Sequence, residues 1–89
     1  VEEALALGEE TLALQRRVLG EDHPDPLRTA YNLAAYLALV GRVGVARVPG
    51  EETLQARRRV LGEDHPETRR TANWLARLAK EQEEPRSGE

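Results

Sequence analysis

The sequence predicts an all-α fold, tandem helical hairpins stacked into an α-solenoid, and three observations carry that expectation. Ala, Leu, Glu and Arg dominate the composition, and all four are strong helix formers. The chain repeats itself at an offset of 42 residues: GEETL stands at 8–12 and 50–54, RRVLGEDHP at 16–24 and 58–66, and Arg-Thr-Ala at 28–30 and 70–72. Laying 1–38 on 43–80 gives 21 identities, far beyond chance. Gly and Pro fall where a helical pattern needs stops and starts. A repeat of this length is one supersecondary unit that buries its apolar face only by stacking on its neighbours.

The elements follow in order. Over 2–19, Ala4, Leu5, Gly8, Thr11, Leu12 and Leu19 recur at helical spacing, and Gly20 ends the helix as a C-terminal glycine does. Glu21-Asp22-His23-Pro24 is a tight connector, with Asp22 or Asp25 expected to cap the next helix and Pro24 suited to its first turn. The second helix is expected over 25–40, presenting Leu27, Ala30, Leu33, Ala34 and Leu37 on one face, and Gly41-Arg42 ends it. The third is expected to begin only near Pro49 and to end at 61. Gly44 costs a helix about 1 kcal/mol and an interior Pro about 3 kcal/mol, whereas Pro49 followed by Glu51 and Glu52 reads as a fresh start. The fourth is expected over 66–82, and 83–89 as a disordered tail. Ala4, Gly8 and Thr11, repeated as Ala46, Gly50 and Thr53, make a flat stripe that lets a partner helix approach closely.

Composition narrows the function. With 89 residues, 33% of them charged and only 3% aromatic, the core must come from Leu, Val and Ala. A net charge of −3 argues against a general nucleic-acid binder. The run Arg57-Arg58-Arg59, with Arg69-Arg70, reads as a solvated helix face, since Arg16-Arg17 occupies the same repeat position as part of it. The absence of cysteine excludes disulfides, thiolate metal sites and thiol nucleophiles. No apolar stretch approaches the roughly 20 residues of a membrane span, and no signal-peptide pattern opens the chain, so cytoplasm is the default location. The two histidines, His23 and His65, sit in identical Glu-Asp-His-Pro settings and are expected to cap helices or face solvent rather than hold a metal. No nucleophile stands beside a base, and the glycines are scattered rather than gathered in a phosphate loop. The chain is therefore expected to be no enzyme and to need no cofactor or metal.

LGEDHP, Tyr31-Asn32-Leu33-Ala34 within Arg-Thr-Ala-Tyr-Asn-Leu-Ala (28–34), and Gly41-Arg42 followed by Ala46 resemble the tetratricopeptide family. The resemblance is to the 42-residue variety found in kinesin light chains and many bacterial repeat proteins, and it covers Val1 to about Lys80. It implies a right-handed solenoid and a half repeat at 1–24, a full repeat at 25–66 and a half repeat at 67–82. It also implies a fragment of a longer array, since the order runs second helix, first helix, second, first and there is no initiator Met. The segment 44–49 departs from the family pattern and puts normal stacking of that repeat in question.

On the first helix of each pair, Arg28, Tyr31, Asn32, Ala35 and Leu39 share a face, and so do Arg70, Asn73, Trp74, Arg77 and Glu81. In tetratricopeptide arrays the similar face lines the concave groove. The resemblance thus points to a peptide-binding scaffold using Arg28, Tyr31, Asn32, Arg70, Asn73, Trp74 and Arg77. The partner is a protein or peptide, an acidic one being favoured by the arginines. The competing expectation for Trp74 is packing against the next hairpin. Two other functions fit the same chain: a structural module that self-associates through uncapped ends, and a regulatory segment of a larger ATPase or signalling protein, which the resemblance alone suggests.

Overall fold

The computed structural model describes residues 2–83, and over them the chain is four helices: α1 (Glu2–Leu19), α2 (Pro24–Leu39), α3 (Val43–Leu61) and α4 (Pro66–Glu83). Each packs on its neighbour in sequence, α1 on α2, α2 on α3, α3 on α4. The short connectors make those neighbours antiparallel. There is no strand among the described residues. The expected tail lies outside them, apart from Glu83, which closes α4.

The junctions work as the repeat requires. Gly20 and Gly62, sister positions 42 apart, adopt φ of 96° and 95°, the left-handed region that a side chain resists. Their N–H groups close onto the Arg16 carbonyl at 3.0 Å and the Arg57 and Arg58 carbonyls at 3.2 and 3.1 Å. The expected aspartate cap is corrected. The cap of α2 is His23, whose Nδ1 accepts from the Asp25 N–H at 3.1 Å. His65 does the same for Glu67 at 3.1 Å. Two-residue reach to an orphan amide is what an N-cap side chain supplies, and the imidazole nitrogen does it here as an oxygen does elsewhere.

The start of α3 is also corrected. It begins at Val43, not near Pro49, and carries Pro49 inside it. Proline there removes one ladder bond, the one that residue 49 would donate to the Val45 carbonyl. Packing outweighs that cost. Ala46 is wholly buried in a cluster with Leu5, Leu37, Leu75 and Leu78, against which Val43 also packs. Fraying 43–48 would uncover leucines worth about 1.5–3 kcal/mol each when buried. Thr53 Oγ1 additionally donates to the Pro49 carbonyl at 2.8 Å, and Arg47 donates to Gln82 of α4 at 2.9 Å. The repeat that contains Pro49 therefore packs on both of its neighbours.

The small-residue stripe does what its spacing implies. Gly8 lies under Leu33, and its sister Gly50 lies under Leu75, itself the sister of Leu33. An added Cβ at Gly8 would sit 3.2 Å from Leu33 Cδ1, and one at Gly50 2.8 Å from Leu75 Cδ2. The close approach between second and next first helix is thus built twice.

Candidate functional site

The first helices α2 and α4 meet through two aromatic rings. Tyr31 and Trp74 stand 5.4 Å apart between centroids, tilted by 60°, a favourable offset geometry. Beside them a groove of about 380 Å³ opens between α2 and α4, with the last turn of α3 as its floor. Arg28, Tyr31 and Asn32 line one side, Glu67 and Arg70 the other, and Arg57 with Val60 and Leu61 the base.

The charged walls are built by one local device used twice. His23 caps α2 at Asp25, and the Asp25 carboxylate accepts from Arg28 at 3.1 Å. His65 caps α4 at Glu67, and Glu67 accepts from Arg70 at 2.9 Å. Cap, acid and base follow at the same spacing in both repeats, so the two arginines take matching positions. Both remain exposed, and ion pairs of this kind are worth about 0–1 kcal/mol.

Arg57 is the residue that sequence reasoning misplaced. It was expected on a solvated face with Arg58 and Arg59, yet only 8% of its surface is exposed. Its guanidinium lies 5.2 Å from the centre of the Tyr31 ring and donates to Thr71 Oγ1 at 2.7 Å. Glu67 Oε1 stands 3.9 Å away. Burial pushes the Arg57 pKa down from its ordinary value, and the Glu67 carboxylate works in the other direction. The missed signal was positional: 46, 50, 53 and 57 form one helical stripe, so Arg57 extends the buried small-residue face. Its sister is Gln15, whose Oε1 is buried without a hydrogen-bond partner among the described residues.

Of the residues expected on this surface, Arg28, Tyr31, Asn32 and Arg70 come together in the groove. Asn73 and Arg77 are exposed on α4 outside it. Trp74 is half-buried, packing against the core as well as against Tyr31. Asn32 also borders a shallower hollow of about 240 Å³ between α1 and α2, shared with Gly8, Thr29 and Tyr36. Asn32 thus borders both hollows. Within the groove three guanidinium groups face the carboxylates of Asp22 and Glu67, so its charge is close to balanced.

A larger hollow of about 710 Å³ lies between the second helices α1 and α3. Arg16–Glu52 at 3.4 Å and Arg59–Asp22 at 2.6 Å bridge its sides, and none of the expected residues borders it. The Asp22 carboxylate, accepting a hydrogen bond from the exposed Arg59 guanidinium, raises the pKa of Arg59. Among the described residues no three His, Asp or Glu side chains are grouped to hold a metal ion, and no helix is long and apolar enough to cross a membrane.

A family model described as Tetratricopeptide repeat matches residues 1–52 of the chain. None of the curated proteins matches it.

Proposed function

The chain belongs to the tetratricopeptide-repeat family, and on that premise we propose that it is a protein-interaction module that holds an extended peptide along α2 and α4. Such repeats generally mediate protein–protein interactions. One observation carries the reading for this chain: Arg28, Tyr31 and Asn32 of α2 and Arg70 of α4 line one open groove of about 380 Å³. Asn32 is exposed, and its amide can both donate to and accept from a peptide backbone. Tyr31 offers a ring held in place by Trp74 and Arg57. Arg28 and Arg70 stand on opposite walls.

A carboxylate-bearing peptide suits this groove, but by exchange rather than simple attraction. Each wall arginine already has an internal carboxylate, so a ligand's carboxylate must replace or share it. Charge contributes selectivity, and apolar contact with Tyr31 supplies most of the affinity. Peptides recovered by display on the 89-residue chain are titrated calorimetrically against it and against Asn32→Ala and Arg70→Glu. Both substitutions are expected to weaken binding without lowering the melting temperature. If neither changes the affinity of any recovered peptide, the groove is not the site.

A second reading, self-association, is favoured by a separate observation. Leu7, Leu14 and Val18 of α1 are 65%, 52% and 70% exposed on one face. Contiguous exposed apolar surface of this kind marks interaction sites. Sedimentation at several concentrations tests it directly.

A further inference from the structure

The second helices α1 and α3 stand apart over α2, and we propose that the groove between them seats a basic amphipathic helix of a partner protein. None of the residues expected to bind peptide borders this groove, so the proposal is independent of the α2–α4 reading.

Two hollows lie between these helices. The larger, of about 710 Å³, has Arg16 and Glu21 on one side and Glu52, Gln55 and Arg59 on the other. The second, of about 360 Å³, is mostly apolar: Leu12 and Ala13 of α1 face Val45, Val48 and Pro49 of α3, with Leu37 of α2 between them. Arg16, Val48 and Glu52 border both. Both walls and the helix between them belong to the chain, so neither hollow is an end face. Positions 45, 48, 52, 55 and 59 share one face of α3 and span roughly 20 Å, room for about four turns of a partner helix.

The apolar end of the groove is made where the repeat departs from itself. Val45 and Val48 are 57% and 60% exposed, and their sisters on α1 are Glu3 and Ala6. The helix forms with a charged or a small residue at those positions, so the fold does not call for valine there. Valine is also a poorer helix former than either sister. Two exposed apolar side chains that weaken their own helix are explained by a partner that covers them.

Charge fixes the kind of partner. Glu9, Glu21, Asp22, Glu51 and Glu52 border the two hollows, against Arg16 and Arg59 alone. Arg16 pairs with Glu52, Arg59 with Asp22, and Arg47 reaches Glu51 from outside the groove, which leaves Glu9 and Glu21 over. The α2–α4 groove has the opposite balance, three arginines against Asp22 and Glu67. An acidic rim repels nucleic acid and anionic bilayers and attracts lysine and arginine. An amphipathic helix laid in the groove puts its apolar face on Ala13, Val45 and Val48 and its flanking cations beside Glu9 and Glu21.

The probe is a synthetic helix of about 14 residues, leucine on one face and lysine on the other, matched to the groove in length. A leucine–glutamate peptide of the same pattern is its control. Fluorescence anisotropy at physiological salt titrates both against the wild-type chain, and the leucine–lysine peptide against Val48→Lys, Glu9→Lys and Glu81→Lys. Glu81→Lys makes the charge change of Glu9→Lys on α4, outside the groove. All three sites are exposed, so the fold is kept, which circular dichroism melts verify. The leucine–lysine peptide is expected to bind and the leucine–glutamate peptide to bind at least about tenfold more weakly. Val48→Lys and Glu9→Lys are each expected to weaken the leucine–lysine peptide at least about tenfold, and Glu81→Lys by less than about twofold. Amide NMR signals around Ala13 and Val48 are expected to shift on binding. No binding, equal affinity for the two peptides, or full affinity in Val48→Lys overturns the proposal. So does equal weakening by Glu9→Lys and Glu81→Lys, which reports net charge alone, or shifts confined to the surroundings of Asn32 and Arg70.

Discussion

Gly8→Ala and Gly50→Ala are the same substitution at sister positions, and the structure gives them opposite expected signs. In a helix interior, replacing Gly by Ala stabilises by about 1 kcal/mol through propensity and the lower entropy of the unfolded chain. The opposing effect is the space for one methyl group. At Gly8 the new Cβ meets only Leu33 Cδ1, at 3.2 Å, and Leu33 is half-buried and able to yield a few tenths of an ångström. At Gly50 it would stand 2.8 Å from Leu75 Cδ2 and 3.1 Å from Trp74 Cζ3. Carbon atoms rest at about 3.5–4.0 Å, so Leu75 would have to retreat by roughly 0.7 Å or more. Leu75 is buried among Leu5, Leu37 and Leu78, and Trp74 is backed by Tyr31. Overpacking of such a site costs about 1–3 kcal/mol. The net expectation is a gain of up to about 1 kcal/mol for Gly8→Ala and a loss of about 0–2 kcal/mol for Gly50→Ala. At roughly 4–8 °C per kcal/mol for a domain of this size, thermal melts resolve the difference. The expected order of melting temperature is Gly8→Ala, wild type, Gly50→Ala. A Gly50→Ala chain that melts at or above Gly8→Ala would refute the reasoning, because propensity would then be the only effect at work.

Three further outcomes are expected. His65→Ala is expected to lower stability by about 1 kcal/mol by orphaning the Glu67 amide, while His65→Asn retains most of the cap; equal losses for the two in denaturant titrations would mean that the hydrogen bond at 3.1 Å is not what the imidazole contributes. Arg57→Ala is expected to cost about 1–3 kcal/mol, since it deprives the buried Thr71 hydroxyl of its donor and uncovers one face of Tyr31; an unchanged midpoint would return Arg57 to the solvated face. Trp74→Ala is expected to lower both the melt and peptide affinity, the melt by the lower end of the roughly 3–5 kcal/mol of fully buried aromatics, whereas Arg70→Glu lowers affinity alone; loss of affinity without loss of melting temperature would make Trp74 a pure ligand contact.

The fold class, the number of helices and the positions of three of the four helix starts are set by local chemistry, which is why the sequence by itself determines them. Gly20 and Gly62 take a backbone conformation that few other residues accept, and Pro24 and Pro66 begin helices because their missing N–H is not needed there. The 42-residue offset adds pairing information, since sister residues such as Gly8 and Gly50 make sister contacts. It also makes Arg28 and Arg70 sister positions, and both border the same groove.

What tertiary structure alone decided is every case where a local preference met a packing partner. Propensity placed the start of α3 at Pro49, but buried leucines on α2 and α4 hold 43–48 in the helix. Charge placed Arg57 in solvent, but the stripe it completes faces α4, where Thr71 and Glu67 receive its guanidinium. Trp74 shared a face with Asn73 and Arg77, yet its ring turns to Tyr31 and the core. Local sequence specifies the backbone because few residues fit a tight turn or a helix end. It does not specify which side of a helix is covered, because that depends on free energy released by surfaces that meet only when distant segments of the chain are folded together.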